Sequence, residues 1–515
     1  MKYVCGIDIG TTGTKVIIFN AVGEKIANAY TEYPCSFPES GWSEQNWDDM
    51  FSQMCDATKE CISKSGLDAK DVVSLSISSQ RCTLICVDEK ENALAPCITW
   101  QDRRSFEECK DISNIIGDDK YYEITGLPND PTWSVSKIMW IKKHKPDLYE
   151  NTNRFVLCHE LYLKKLGADD YYQDWSNGSL YGLMDIQKFE WHEELTKKLS
   201  IDMGKLPVLV PSGKVIGKVD AKGSKLSGFA EGTLLVAGGG DQQCAAMGAG
   251  ATKKGVIEVT IGTAGVTVAY MDSPIYDKSK RLPLSAHTVA GKWETEGLQL
   301  AAGSALKWFR NELALKELTE AAQLNVDPFK LIDDEAIKFK PGDGIVCLPY
   351  FAGSAAPNWD PFARGTFVGL NLGTNRLQLA RSIMEGVSFE TKEVIEQMLT
   401  NGVPVETVVL TGGAAKSSIW NQIQADIYGI PCGKLKIEEA TSLGAAILAA
   451  LGAGLYPNHN EAVEKMVSIV DFAQPNEENH KLYTEYFKIY KDVYKALKDV
   501  NVFERLYNLS VKQTV

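Results

Sequence analysis

The stretch GIDIGTTGTKVIIF, residues 6–19, decides the fold class. Apolar and β-branched residues flank a run of glycines and threonines, Gly10 to Thr14, and Asp8 stands just before that run. Strand-forming residues on both sides of turn-forming ones predict a β-hairpin. Glycine lets backbone amides approach a ligand closely and threonine adds hydroxyl donors, so the turn can surround a phosphate while Asp8 faces an accompanying metal ion. An ordinary tight hairpin with a solvated Asp8 is the alternative.

A second segment of the same kind, GVIEVTIGTAGVTVAY, covers residues 255–270. Its turn, Gly262 to Gly265, corresponds to the turn that begins at Gly10, about half the chain earlier. The sequence therefore predicts two similar α/β halves, each opening with a hairpin. We place the domains at residues 1–245 and 246–515, and we expect the glycines 238–240 to act as a hinge between them.

Composition and charge exclude several classes of protein. The chain of 515 residues carries 54 Lys and Arg against 67 Asp and Glu, a net charge of −13, and it has no basic tract. Nucleic acid and anionic membranes are therefore not expected as partners. The N-terminus lacks a signal-peptide pattern, and the apolar stretch 444–454 is too short to span a bilayer, so neither secretion nor a membrane span is expected. The twelve cysteines form no CxxC pair, so neither a zinc site nor a disulfide framework is indicated. We expect a cytoplasmic protein that acts on a small molecule.

Two glycine-rich segments carry candidate chemistry. VAGGGDQQCAAMGAG, residues 236–250, delivers Asp241 at the end of an apolar strand, where a carboxylate can accept a proton from a substrate hydroxyl; a helix N-cap is the alternative. TGGAAKSSIWNQIQAD, residues 411–426, sets Gly412 and Gly413 between a strand and a helix, where a flat ring or a phosphate can lie against bare backbone. Neither a GxGxxG fingerprint nor a P-loop is present. Together the segments predict a cleft for a nucleoside triphosphate.

Seven segments in this order resemble the FGGY family of carbohydrate kinases, within the actin/hexokinase-like ATPase superfamily. They are GIDIGTTGTK at 6–15, WQDRR at 100–104, KIMWIKK at 137–143, GGGDQQCAAMG at 238–248, TIGTAG at 260–265, NWDPFARGTFVGL at 358–370 with QLARSIMEG at 378–386, and TGGAAKSSIWNQIQAD at 411–426. The resemblance implies two similar ribonuclease H-like (actin-like ATPase) domains with a cleft between them. It also implies ATP as phosphate donor and Mg²⁺ as its metal ion.

The resemblance assigns roles to individual residues. Asp241 matches the general base that deprotonates a sugar or polyol hydroxyl for attack on the γ-phosphorus. Asp8 matches the carboxylate that holds Mg²⁺, with Asp241 as the second carboxylate near the metal. The nucleotide-binding residues would be Thr11, Thr12, Lys15, Gly262, Thr263, Gly303, Lys307, Gly412, Gly413 and Ser417. The substrate-binding residues would be Gln80, Arg81, Cys82, Trp100, Asp102, Arg103, Thr132, Trp133 and Gln242.

The substrate pocket departs from the patterns of well-known members. Glycerol kinases carry an Arg-Glu pair where this chain has Arg81 and Cys82, and they carry a tyrosine where it has Thr132. Xylulokinases carry Met-His-Gly where this chain has Arg81, Cys82 and Thr83. A polar open-chain substrate with a primary hydroxyl is expected, a ketose such as xylulose or a glycerol-like polyol first. A guanidinium can also bind a carboxylate, so a gluconate kinase stays open, as does an autoinducer-2 kinase. An actin-like, nucleotide-gated binding protein is the alternative of another class, and a homodimer is left open.

Overall fold

The computed structural model describes residues 2–512. The strands are β1 (Tyr3–Ile9), β2 (Gly13–Asn20), β3 (Lys25–Glu32), β4 (Glu44–Gln45), β5 (Val72–Ser79), β6 (Ile85–Val87), β7 (Cys97–Ile98), β8 (Arg154–Val156), β9 (Tyr172–Asp174), β10 (Met184–Asp185), β11 (Glu190–Trp191), β12 (Val208–Val210), β13 (Val215–Lys218), β14 (Leu234–Gly240), β15 (Gly255–Ile261), β16 (Gly265–Met271), β17 (Leu284–Ala286), β18 (Trp293–Gln299), β19 (Val346–Leu348), β20 (Thr366–Val368), β21 (Val405–Thr411), β22 (Cys432–Leu435) and β23 (Ile469–Ala473).

The α-helices surround these strands. They are α1 (Trp47–Ser65), α2 (Phe106–Ile116), α3 (Asp118–Thr125), α4 (Ser134–His144), α5 (Pro146–Asn151), α6 (Cys158–Leu166), α7 (Trp175–Ser179), α8 (Glu193–Lys198), α9 (Ala221–Ser227), α10 (Asp241–Gly248), α11 (Gly303–Leu313), α12 (Leu315–Leu324), α13 (Pro328–Ala336), α14 (Arg376–Thr400), α15 (Ser418–Tyr428), α16 (Ala440–Gly452), α17 (His459–Met466), α18 (Glu477–Asp499) and α19 (Val502–Lys512).

The first large sheet has six strands in the order β13-β14-β5-β1-β2-β3. The predicted hairpin is confirmed: β1 and β2 pair antiparallel, and the Gly10 amide donates to the Gly13 carbonyl at 2.9 Å. β5 and β14 then add parallel to β1, so their carboxyl ends meet at one edge of the sheet. Apolar residues of β1 and β2 such as Ile7 and Val16 are fully buried because helices cover both faces.

Helix α16 packs directly on the backbone of this sheet. A Cβ at Gly6 of β1 would lie 1.9 Å from the carbonyl oxygen of Ser442 in α16, and one at Gly248 would lie 2.0 Å from that of Ala440. Only glycine permits such an approach. Within the segment 444–454, which the sequence excluded as a membrane span, a Cβ at Gly444 would lie 1.9 Å from the carbonyl oxygen of Cys244 in α10, so this glycine serves close helix packing.

The glycines 238–240 are part of strand β14. A Cβ at Gly238 would lie 1.8 Å from the carbonyl oxygen of Ile77 in the neighbouring β5. The absence of a side chain is thus required by the close approach of two paired strands. The prediction that these glycines form a hinge is wrong, because they are buried and belong to the sheet.

The second large sheet repeats the topology of the first. Its order is β17-β18-β16-β15-β21-β22-β23. β15 and β16 form the second predicted hairpin, β21 pairs parallel with β15, β22 pairs parallel with β21, and β23 closes the edge antiparallel. The predicted α/β class with two similar sheet-containing halves is confirmed.

The chain folds into two compact units, each assembled from three separate segments. The first comprises Met1–Lys253, Tyr270–Thr295 and Glu439–Ser468, and the second comprises Lys254–Ala269, Glu296–Glu438 and Ile469–Val515. The domain boundary at residue 245 stays a prediction. All twelve cysteines are free and eleven are buried. Within residues 2–512, no helix combines the length and apolar character needed to cross a bilayer.

Candidate active site

Asp8 lies in β1, where the sheet presents it to two hydroxyl groups. Ser78 of β5 donates to Oδ1 at 3.0 Å, and Thr441, at the start of α16, donates to Oδ2 at 2.9 Å. Lys15 is its cross-strand partner in the first hairpin. Burial raises the pKa of Asp8 to about 6 and the charge of Asp241 adds to the rise, while the Thr441 and Ser78 hydroxyls and the Lys15 ammonium oppose it. The solvated alternative for Asp8 is therefore wrong.

Asp241 is the first residue of α10 and directly follows β14. The N-cap position belongs to Gly240, so the capping alternative for Asp241 is wrong. Oδ1 of Asp241 accepts the Gln242 amide at 2.8 Å and lies 3.0 Å from Nε of Arg81. Its side chain is 29% exposed and that of Arg81 is 17% exposed. A half-buried carboxylate at the end of a strand, paired with a guanidinium, can reach a bound hydroxyl.

Asp8 and Asp241 together form an anionic pair that suits a divalent cation. The charge of Asp241 adds to the rise that burial causes in the pKa of Asp8, and a cation beside the two carboxylates would oppose that rise. Magnesium is commonly bound by one or two carboxylates, with phosphate oxygens and water completing its shell. Among residues 2–512, no cluster of three or more His, Cys, Asp or Glu side chains offers a complete protein cage. The donor set therefore fits magnesium that arrives with a polyphosphate.

The turn of the first hairpin is joined to the predicted substrate residues. Thr11 accepts a hydrogen bond on Oγ1 from the Trp100 indole at 2.9 Å, and its carbonyl accepts one from the Gln45 amide at 2.6 Å. Thr12 is exposed at the tip of the turn. The structure thus brings Trp100 beside the turn that the sequence assigned to phosphate.

Four of the predicted substrate residues are buried and bonded within the first unit. Gln80 donates to Gln45 and accepts from Thr83, and both oxygens of Asp102 accept bonds from Arg104. Cys82 and Trp133 are 2% and 6% exposed. Their burial gives them a structural role in the first unit, and direct contact with substrate stays a prediction for them.

Arg103 and Thr132 are more accessible. The Arg103 guanidinium donates to Asp130 at 2.7 Å and to the Thr132 hydroxyl at 3.2 Å, and its side chain is 46% exposed. Its remaining donors can serve an oxygen-rich ligand, since a guanidinium carries five N–H groups.

Sequence reasoning missed Lys137, which is fully buried in α4. Its ammonium donates to the carbonyl of Cys82 at 2.7 Å and to that of Thr132 at 2.8 Å, two predicted substrate residues. Burial lowers its pKa to about 8. Cys82 has a positive φ of 58°, which residues other than glycine rarely adopt. The signal in the sequence was a lysine in the otherwise apolar run KIMW.

In the second unit, the start of α11 packs against the second hairpin. The Gly303 amide donates to the Gly262 carbonyl at 2.9 Å, and the Thr263 carbonyl accepts the amides of Ala302 and Ser304. A Cβ at Gly303 would lie 2.3 Å from the Gly262 carbonyl oxygen, which explains the glycine. Lys307 follows one turn later and is exposed.

Gly412, Gly413 and Ser417 form the other predicted nucleotide contact of the second unit. Gly412 has a φ of +77°, and a Cβ there would lie 2.6 Å from the Ile261 carbonyl oxygen of β15. Ser417 caps α15 by accepting the Trp420 amide at 3.1 Å. The glycines leave bare backbone beside the strand that leads into the second hairpin.

A buried carboxylic acid, Glu258, connects these two parts of the second unit. Its Oε1 accepts the hydroxyls of Thr260 in β15 and Thr411 in β21. Burial raises its pKa to about 7, although the two hydroxyls oppose the rise. Thr260 precedes the second hairpin turn and Thr411 precedes Gly412, so one side chain holds both strand ends.

Comparison with known proteins agrees with this arrangement. The sequence models of the FGGY family of carbohydrate kinases match in both halves: the N-terminal domain at residues 3–248 and the C-terminal domain at residues 258–453. The chain is 32% identical to a xylulose kinase of Bacillus subtilis over 97% of its length and 98% of the relative. It is 31% identical to a gluconokinase of the same organism, over 94% and 93%. In structure it is similar to a xylulose kinase from Lactobacillus acidophilus, with a TM-score of 0.88, 24% identity and coverage of 97% and 99%.

Proposed function

Because this chain belongs to the FGGY family of carbohydrate kinases, and is therefore a phosphotransferase that acts on a sugar or polyol, we propose that it transfers the γ-phosphoryl group of ATP to a primary hydroxyl of an open-chain ketose or polyol. The observation that carries the proposal is the position of Asp241, paired with Arg81 and electrostatically coupled to Asp8 at the end of the first sheet. The alternative of an actin-like binding protein is set aside, since the family consists of kinases.

Asp241 acts as the general base in this proposal. Its carboxylate accepts the proton of the substrate hydroxyl as the oxygen attacks the γ-phosphorus, and ADP leaves with the electron pair of the broken P–O bond. Arg81 lies 3.0 Å from this carboxylate and orients it before the reaction. Gln242, next in α10, is the proposed neighbour of the substrate.

Asp8, with Asp241, would hold the magnesium ion that accompanies ATP. When bound, magnesium supplies positive charge that offsets the charge of the phosphates. The Ser78 and Thr441 hydroxyls orient the two oxygens of Asp8. Both hairpins offer amides, hydroxyls and an ammonium to a polyphosphate, the first at Thr11, Thr12 and Lys15 and the second at Gly262 and Thr263. The remaining proposed nucleotide contacts are Gly303, Lys307, Gly412, Gly413 and Ser417.

The acceptor is proposed to be a ketose or polyol, bound by Arg81, Trp100, Arg103 and Thr132. The relative named xylulose kinase supports a ketose. An aldonate such as gluconate is the second candidate, because the half-exposed Arg103 offers a guanidinium suited to a carboxylate and one relative is named gluconokinase. A homodimer and a cytoplasmic location stay predictions.

The test is ADP release from Mg²⁺-ATP over a panel of ketoses, polyols and aldonates, with a reaction without acceptor as baseline. We expect one ketose or polyol to raise the rate far above that baseline. A response to gluconate alone would select the second candidate. If none of the acceptors raises ADP release, the proposed acceptor class is wrong.

A further inference from the structure

A buried polar network underlies the Arg81–Asp241 pair, and no role described above uses it. It consists of Ser79 at the end of β5, His159 in α6, Asp174 at the end of β9 and Ser176 in α7, and we refer to these four residues as the support network. None of them is more than 1% exposed. Polar groups are buried at a cost, so their mutual contacts call for an explanation.

One arm of the support network reaches the residue before Asp241. Ser176 donates its hydroxyl to Oδ1 of Asp174, and its Oγ accepts the Gly240 amide at 3.0 Å. Asp174 is itself fixed by Asn177, whose backbone and side-chain nitrogens each donate to it at 2.9 Å. Asp174 therefore orients the Ser176 hydroxyl so that its lone pair faces the backbone of Gly240.

The other arm reaches the strand that leads to Arg81. Nε2 of His159 lies 3.5 Å from Oδ2 of Asp174, and Nδ1 lies 2.8 Å from the Ser79 hydroxyl. Burial lowers the pKa of His159, so the ring is neutral. Nδ1 shares a hydrogen bond with the Ser79 hydroxyl, whereas Nε2 faces Asp174 across a gap longer than a hydrogen bond.

The two arms meet at adjacent strand ends. Ser79 and Gly240 are register partners in the β5–β14 pair, and Arg81 and Asp241 follow them in the chain. Ser176 bonds the backbone of Gly240 and His159 bonds the side chain of Ser79, so the support network contacts both residues of this register pair. The Ser79-His159-Asp174 order is that of a hydrolase triad, but Ser79 is 0% exposed and cannot meet a substrate.

We propose that Ser176 and Asp174 are positioning residues for the general base Asp241, and that His159 and Ser79 position Arg81 in the same way. The inference rests on the proposed function, in which Asp241 is the base and Arg81 binds the acceptor. A displacement of about 1 Å at a reacting group can cost roughly 100-fold in rate, so anchoring by the backbone has kinetic consequences.

The first experiment replaces Ser176 by alanine. Ser176→Ala should lower kcat roughly 10- to 100-fold and leave nucleotide affinity, measured by calorimetry, within about twofold. The matched control is Ser227→Ala: Ser227 is equally buried, donates to the Gly223 carbonyl and accepts the Phe229 amide at 3.3 Å, away from the network. If Ser176→Ala does not fold, Ser176→Cys, which keeps the shape with a weaker acceptor, should show a smaller loss in kcat. Equal kcat in the folded Ser176 variant and the control would overturn the proposal.

The second experiment separates the two arms. Ser79→Ala should raise KM for the acceptor several-fold, on the order of 1 kcal/mol for one lost hydrogen bond, with little change in KM for ATP. Its control is Ser74→Ala on the same strand, whose equally buried hydroxyl donates to the Ala449 carbonyl at 2.8 Å. Identical acceptor KM values for the two variants would contradict the role of the His159 arm.

A double-mutant cycle distinguishes positioning from general destabilisation. In an Asp241→Asn background, Ser176→Ala should cost less than about twofold in turnover, because the group it positions is already inactive. A loss as large as in the native background would show that Ser176 acts on something other than the base. If Asp241→Asn alone has no effect on turnover, the proposed function fails. The Asp241→Asn variant is therefore measured before the variants of the support network.

Discussion

At the scale of single residues, the site depends on a small number of buried contacts. Arg81 pairs with Asp241, Ser78 and Thr441 bond Asp8, and Lys137 bonds the carbonyls of Cys82 and Thr132. Removal of one partner takes a hydrogen bond or an ionic contact from the other, which gives substitutions a defined cost.

Asp241→Asn should lower turnover by roughly two to four orders of magnitude, because the amide keeps the shape but cannot take a proton. Nucleotide affinity should change little. Steady-state kinetics and calorimetry measure the two effects. Asp220→Asn is the control, since Asp220 caps α9 by accepting the Gly223 amide at 2.6 Å and asparagine caps a helix equally well. A variant that keeps more than about a tenth of native turnover would remove Asp241 from the role of base.

Lys137→Met should raise KM for the acceptor about tenfold and leave KM for ATP unchanged. The substitution keeps the apolar stem but frees the Cys82 and Thr132 carbonyls, so the positive φ of Cys82 loses a restraint. Lys392→Met is the matched control, because Lys392 is also buried and donates to one carbonyl, that of Ile427 at 2.6 Å. Acceptor KM values that match between the two variants would show that Lys137 serves stability alone.

At the scale of elements, the local pattern predicted the two hairpins and the strand and helix on either side of Gly412 and Gly413, because strand residues around glycine-rich turns are a signal that extends over only a few residues. The sequence also pointed to Asp8 and Asp241. It could not point to Thr441, which meets Asp8 from 433 positions away, nor to Asp174 and Ser176, because contacts across strands leave no local periodicity. The hinge prediction for glycines 238–240 was wrong for the same reason, because the sequence does not distinguish a glycine required by strand packing from one that allows bending.

The buried Glu258 accepts hydrogen bonds from residues of β15 and β21, and its protonation makes the free energy of unfolding depend on pH. Its pKa rises from about 4.3 in an unfolded chain to about 7 in the fold. Between these values the native state holds a proton that the unfolded state has lost, so the free energy of unfolding decreases as pH rises from about 4.3 to about 7. Glu258→Gln should remove this decrease, as urea unfolding between pH 5 and pH 8 would measure.

Glu320→Gln, on the exposed side of α12, is the control for that measurement and should keep the native pH profile. The opposite outcome, a Glu258→Gln variant with the same pH profile as the native protein, would mean that Glu258 is ionised throughout the range.

At the scale of the whole molecule, the first unit is discontinuous in sequence. Its sheet comes from the first half of the chain, whereas α16 and α17 come from residues 439–468. α16 is buried along most of its length and packs against β1, β5 and β14. Residues 1–253 therefore lack a helix that covers a face of their own sheet.

A fragment of residues 1–253 should not unfold cooperatively and should bind a hydrophobic dye, because the face that α16 covers is left exposed. Circular dichroism during heating and dye fluorescence measure these properties. Residues 1–295 joined by a flexible linker to residues 439–468 form the control and should regain a cooperative transition. Cooperative unfolding of the 1–253 fragment would show that α16 is dispensable for the first unit.

The late position of α16 also bears on how the protein is made. A ribosome adds about 5 to 20 residues each second, so the interval between the end of β14 and the end of α16, about 200 residues, lasts roughly 10 to 40 seconds. During this time the first sheet has emerged, but the helix that fits against Gly6 and Gly248 has not been translated. The nascent chain is therefore a natural client for chaperones that shield apolar surface during translation.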